Sequence, residues 1–145
     1  MADEIPQDVV ANTIRARAAI DPGYIARLIQ IESGGDPNAQ TGSYRGLGQL
    51  GPREEAAHGI NDSNRTDVGA QTAAITSLAQ TNAAALRRAL GREPTNGELY
   101  LAHQQGVAGA PALLTADPNM PAWKAIRPFY GSDAIAQRAI IGNLP

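Results

Sequence analysis

The chain has no cysteine, one tryptophan, one phenylalanine and two histidines. Without cysteine there is no disulfide scaffold, no iron–sulfur cluster, no thiol nucleophile and no cysteine-based zinc site. His58 and His103 lie far apart, and no H-x-x-x-H or similar ligand spacing exists. Metal catalysis therefore has little support, and neither a metal nor a cofactor is expected. An excess of charge of one sign is also lacking. Twelve Lys and Arg against 14 Asp and Glu leave a net charge of −2, and the arginines are dispersed, densest at Arg87-Arg88. A nucleic-acid binder needs a basic patch, so no nucleic-acid partner is expected. Long hydrophobic runs are missing too. No stretch approaches the ~18 apolar residues that span a bilayer, which excludes membrane insertion by a helix. The start, MADEIPQDVV, is acidic and has neither the basic n-region nor the apolar h-region of a signal peptide. The expectation is a protein made in the cytoplasm, which needs a carrier if its substrate lies outside.

What is present is dense helix punctuation. The 145 residues fit one domain, long enough to bury a core without staples. A first helix is expected over 7–20. Asp21-Pro22 then supplies an N-cap and a first-turn proline for a second helix, which carries Ile25, Leu28 and Ile29 on one stripe and stops at Gly34-Gly35. Residues 36–44 are turn-rich, and 46–50 are too glycine-rich for a helix interior. Gly51-Pro52 starts a short helix that stops at Gly59, followed by a polar loop over 60–66. Asp67 caps a long helix ending before Gly91, and Thr95 with Glu98 forms a capping box for the next, which stops near Gly106. Shorter helices are expected at about 110–115, 121–127 and 132–141, separated by Asp117-Pro118 and Gly131. There is no repeat and no interdomain linker. The expected fold is a single mostly α domain over 1–145, all-α in class, with little or no sheet.

One carboxylate breaks two local rules. Glu32 falls three residues after Ile29, four after Leu28 and seven after Ile25, which puts it on the apolar stripe of its helix. It also sits in the last turn, where the macrodipole is negative and a cation is preferred. Desolvation and the helix end both disfavour the charged form. A carboxyl kept protonated can hand a proton to a leaving oxygen, as glycosidic cleavage requires. Two other readings stand beside this: a surface residue on a fraying turn, or half of a buried ion pair with Arg27 or Arg45.

The stretch Ile31-Glu32-Ser33-Gly34-Gly35-Asp36-Pro37-Asn38-Ala39 resembles the first motif of the transglycosylase SLT family, the lysozyme-like lytic transglycosylases. There a catalytic glutamate followed by serine ends a helix, and a turn with an asparagine–alanine pair follows. Gly46-Leu47-Gly48-Gln49-Leu50 is similar to the second motif, glycine–leucine–methionine–glutamine. Ala102-His103-Gln104-Gln105-Gly106 is similar to the third, alanine–tyrosine–asparagine–x–glycine, in a form resembling phage and bacterial wall-degrading proteins. The resemblance covers 22–106, and the three motifs occur in the family's order. Gly48 stands where the family has a bulky residue, which implies a smaller subsite wall. His103 and Gln104 stand where tyrosine and asparagine are usual.

The resemblance implies a lysozyme-like helical fold and a lytic transglycosylase acting on peptidoglycan glycan strands. Such an enzyme cleaves the β-1,4 bond between N-acetylmuramic acid and N-acetylglucosamine and leaves a 1,6-anhydro sugar. It implies Glu32 as acid and then base, so that one carboxyl suffices where glycosidases usually need two. Ser33, Gln49, His103 and Gln104 are implied substrate contacts, in a cleft between the Glu32 helix, the 46–50 loop and the His103 helix. Tyr44, in the loop between the first two motifs, is the aromatic best placed to stack on sugar. Tyr130 is expected to reach Glu32 from the C-terminal part, as a late tyrosine does in relatives. Other roles stay open: helix-end polarity for Ser33, an exposed amide for Gln49, and packed, hydrogen-bonded side chains for His103 and Gln104. Asp36 is read as serving the turn before Pro37 and Asp67 as an N-cap, but hydrolysis by a muramidase-type reaction remains an alternative. A non-catalytic wall-binding or structural virion protein is another. A phage virion, a lysis system with a membrane pore, or a bacterial secretion machine is the expected carrier to the wall, and its proteins the expected partners.

Overall fold

The computed structural model describes residues 20–141. The described residues form six α-helices, one 3-10 turn and one small two-stranded sheet, so the all-α expectation holds at the level of class. They fall into two compact units, which divide between Gln80 and Thr81. Among the described residues no helix is long and apolar enough to cross a membrane.

The first unit begins with α1 (Pro22–Ser33); the helix expected over 7–20 lies almost wholly outside the described residues. Asp21 caps α1, its Oδ1 accepting from Gly23 N–H at 2.9 Å, and Pro22 occupies the first turn, where a missing N–H costs nothing. Tyr24, Ile25 and Leu28 are buried, while Ile31 on the other face is 65% exposed. Gly34 ends the helix at φ 62°, a left-handed conformation that a side chain would strain, and its N–H closes on the Gln30 carbonyl at 3.1 Å.

The turn-rich stretch 36–44 holds an antiparallel hairpin, which the sequence reading took for turns alone. Strands β1 (Gln40–Thr41) and β2 (Tyr44–Arg45) pair Gln40 with Arg45 and Thr41 with Tyr44. The connection is Gly42-Ser43, with Gly42 at φ 61°, a two-residue hairpin pattern that was legible. Helix α2 (Pro52–Ala57) follows, then a loop whose Ile60 is buried and packs with Leu50 and Ala74 in one hydrophobic cluster. Helix α3 (Val68–Leu90) opens on Asp67, whose Oδ2 accepts from Ala70 N–H at 2.7 Å. The boundary between the two units falls within α3.

His58, at the end of α2, bonds through Nδ1 to the Ser77 hydroxyl at 2.8 Å. Burial lowers its pKa from the ordinary 6.5, and the charge of Glu54 opposes the shift. A histidine that folds with a lowered pKa binds fewer protons than the unfolded chain. Its neutral form therefore contributes fully above pH 6.5, and stability falls as the pH drops below 6.5 through the folded value. Urea melts at successive pH values are expected to show this decline, and His58→Asn to flatten it; identical slopes in both proteins would refute the assignment.

In the second unit, α4 (Asn96–Thr115) starts from the expected capping box. Thr95 Oγ1 accepts from Glu98 N–H at 3.2 Å, and Glu98 Oε1 accepts from Thr95 N–H at 2.9 Å. Arg92 grips both oxygens of Glu98 at 2.8 Å. That guanidinium, and after it the Thr95 backbone, holds the Glu98 carboxyl down to about 2. Gly106, at φ 84° and ψ 167°, breaks α4, so its C-terminal part begins at once rather than near residue 110. Helix α5 (Ala122–Ile126) packs on α4 and on α6 (Asp133–Ile141), with a 3-10 turn, Arg127–Phe129, between α5 and α6. Ala83, Leu86, Leu99, Ala102, Ala110, Ile126 and Ala136 are among the buried members of this unit's apolar interior.

Candidate functional site

Glu32 lies in the last full turn of α1, half-buried, with no basic residue in that turn. Of the arginines that the sequence offered as partners, Arg27 lies 3.8 Å from Asp21, and Arg45 bonds Glu55 at 2.8 Å. The Ser33 hydroxyl donates to the Ile29 carbonyl at 3.0 Å and accepts from Gly35 N–H at 3.2 Å. It thus fastens the end of the helix that presents Glu32 and still has a lone pair to offer a ligand.

The chain leaves α1 through a turn held by Asp36, whose Oδ1 accepts from Asn38 N–H at 2.8 Å. That is the turn role expected of Asp36. One residue on, the Ala39 carbonyl joins the first two motifs. It accepts from Gly46 N–H at 2.8 Å and from Gln49 Nε2 at 3.1 Å. The 46–49 loop is closed at its base by Arg45 and Leu50, which exchange both backbone hydrogen bonds at 3.1 and 3.0 Å.

Gln49 sits in this loop at φ 51°, the one non-glycine with a left-handed φ among the described residues. That conformation costs about 1–2 kcal/mol without compensation. The compensation is visible: Nε2 donates to Ala39 and also to the Gly46 carbonyl at 3.0 Å. Both amide hydrogens are spent on backbone carbonyls, which leaves Oε1 to accept from a ligand donor. Tyr44, 56% exposed on β2, has its ring edge over the backbone of Gly51; a β-carbon added there would stand 3.5 Å from Cε1. An exposed ring beside a polar loop suits stacking on the apolar face of a sugar.

Gly48 faces inward. A β-carbon at this position would lie 2.7 Å from Ile75 Cγ1 and 2.9 Å from Cδ1, and Ile75 is 1% exposed. The space that a bulky residue would fill is taken by α3, so Gly48 adapts the loop to Ile75 rather than shrinking a subsite wall. Gly48→Leu is expected to destabilise the fold by about 1–3 kcal/mol through overpacking. The pairing with Ile75→Ala should recover part of the loss, and additive losses in denaturant melts would disprove the contact.

The sequence reading missed two polar residues beneath the loop. Gln71 on α3, 6% exposed, bonds to Pro37, Leu47 and Arg65. Its signal was present, because it precedes Ala74, Ile75 and Leu78 at helical spacing, as Glu32 follows its own stripe. Glu55, 5% exposed in α2, holds Arg45 at 2.8 Å and stands 3.5 Å from Arg65; nothing in its spacing marked it. The void there is about 10 Å³, room for one water at most.

In the second unit, His103 and Gln104 lie half-buried on α4, one turn beyond Tyr100. Gln104 Nε2 donates to the Tyr100 hydroxyl at 2.8 Å, and the His103 ring stacks on that of Tyr100 at 6.3 Å between centroids. The three residues make one polar-aromatic face, of which the sequence reading singled out two. Tyr130 follows the 3-10 turn, half-buried, with its carbonyl accepting from Arg127 Nη1 at 2.7 Å. Among the described residues no group of three or more His, Asp or Glu side chains is arranged to hold a metal ion. No protein-family model matches the chain, and no curated protein matches it.

Proposed function

We propose that this chain is a peptidoglycan lytic transglycosylase with Glu32 as its acid and base. The observation that carries the reading is the Ala39 carbonyl. It ties the turn that follows Glu32 to the loop that carries Gln49, so the first two motifs, distinct in sequence, form one surface. Three motifs in the family's order supply the chemical identity of that surface.

The chemistry follows from a single carboxyl. Protonated Glu32 gives its proton to the glycosidic oxygen as the bond to C1 of N-acetylmuramic acid breaks. Positive charge develops on C1 and the ring oxygen, and the carboxylate stands beside it. The carboxylate then takes the proton of the 6-hydroxyl while O6 closes on C1. Glu32 ends protonated, as it began, and the products are a 1,6-anhydro end and a free 4-hydroxyl. Gln49 Oε1 accepts from an N-acetyl N–H, Tyr44 stacks on a ring, and Ser33 supports the Glu32 turn. His103, Gln104 and Tyr130 enter as substrate contacts on the sequence resemblance alone.

Water-based hydrolysis needs a second carboxylate or its equivalent. Asp36 serves its turn, Asp67 caps α3, and Asp62 pairs with Arg65. None favours the hydrolytic reading. The substrate lies in the bacterial wall, and the proposal includes delivery there by a virion, a membrane pore or a secretion machine. Incubation with purified sacculi tests the activity: soluble glycan fragments should appear, and binding without release would instead favour a non-catalytic wall protein.

A further inference from the structure

Gln71 uses its whole amide on three separate stretches of chain. Oε1 accepts from Leu47 N–H at 2.7 Å, and Nε2 donates to the Pro37 carbonyl at 2.9 Å and to the Arg65 carbonyl at 2.6 Å. Pro37 belongs to the turn after Glu32, and Leu47 to the loop of Gln49. Both Gln71 and Leu47 are buried, at 6% and 4% exposure, so water cannot replace these bonds. Gly46 leaves room for the amide: a β-carbon there would come within 2.7 Å of Gln71 Oε1. The strained left-handed backbone of Gln49, three residues further on, persists only if its surroundings over-determine it.

We propose that Gln71 is a positioning residue for glycan binding, which fixes the 46–49 loop against the turn after Glu32 and so sets where Gln49 meets the sugar. This rests on the reading of the surface as a glycan-cleaving site. Gln71 acts on the loop that binds, not on the carboxyl that reacts. Its loss therefore falls on KM, whereas loss of a reacting group falls on kcat.

The test uses soluble, uncross-linked peptidoglycan strands and Gln71→Met, which keeps the length of the side chain and removes its hydrogen bonds. In protein shown by circular dichroism to be folded, KM should rise about tenfold or more and kcat stay within about threefold. A second variant, Gln71→Glu, serves if Gln71→Met does not fold. Its carboxylate still accepts from Leu47 but repels the carbonyls of Pro37 and Arg65; once protonated it donates again. Its KM relative to wild type should fall as the pH is lowered. A folded Gln71→Met with wild-type KM, an equal drop in kcat with KM unchanged, or a pH-independent KM ratio for Gln71→Glu would overturn the positioning role alone. A wild-type protein that neither binds nor cleaves the strands would overturn the glycan reading and this proposal with it.

Discussion

Glu32→Gln is expected to lower glycan cleavage by about 10²–10⁴-fold, the usual worth of a positioned general acid and base. Glutamine matches glutamate in shape, and Glu32 is only half-buried at the end of α1, so the helix and its Gly34 cap should survive. The variant should melt near the wild-type temperature and still bind sacculi through the 46–49 loop and Tyr44. Loss of turnover with retained binding separates chemistry from adhesion. Equal activity in Glu32→Gln and wild type would remove Glu32 from the mechanism, however well the motifs match.

The second large effect concerns stability. Glu55→Ala is expected to cost about 3 kcal/mol, the lower end of the range for removing one partner of a buried ion pair. Glu55 is 5% exposed, and its loss strands the guanidinium of Arg45, bonded to it at 2.8 Å, and leaves Arg65 with Asp62 alone. The two arginines have side chains about 30% exposed, so water relieves part of the penalty, and that sets the estimate at the low end. At about 2–4 °C per kcal/mol for a chain of this size, the melting temperature should drop by roughly 6–12 °C. Arg45 also closes the base of the 46–49 loop through its backbone, so the loss should loosen that loop before the rest of the unit opens. A drop smaller than about 1 kcal/mol would place the cluster among ordinary surface pairs.

The helices were legible because their ends are local events. Asp21, Gly34, Asp67 and the Thr95–Glu98 box each satisfy backbone groups within one turn, and each does so where sequence rules put it. The same locality explains the break at Gly106. Glu32 stands out in the sequence for a related reason: a charged residue on an apolar stripe violates a pattern that the sequence itself defines.

Long-range partners left no such trace. The sequence offered Arg45 as a partner for Glu32, and its pairing with Glu55 depends on how the hairpin and α2 come together. Gly48 seemed to open a subsite because the identity of its neighbour, Ile75, lies 27 positions away and is settled only by the packing of α3. Gln71 stood on a stripe as Glu32 does, but a neutral amide is a weaker violation than a carboxylate, and its three partners come from three different loops. What the sequence offered of the proposed site is its candidate residues, Glu32 and Gln49 first; what it did not offer is the scaffold beneath the loop, Gln71 and Glu55.

The most direct measurement is the mass of the muropeptides that the purified wild-type protein releases from bacterial sacculi. A lytic transglycosylase leaves 1,6-anhydro ends, lighter by one water than reducing ends, and these should dominate from the first time point and vanish with Glu32→Gln. Reducing ends in their place would contradict the intramolecular step, because O6 would then have lost to water at C1.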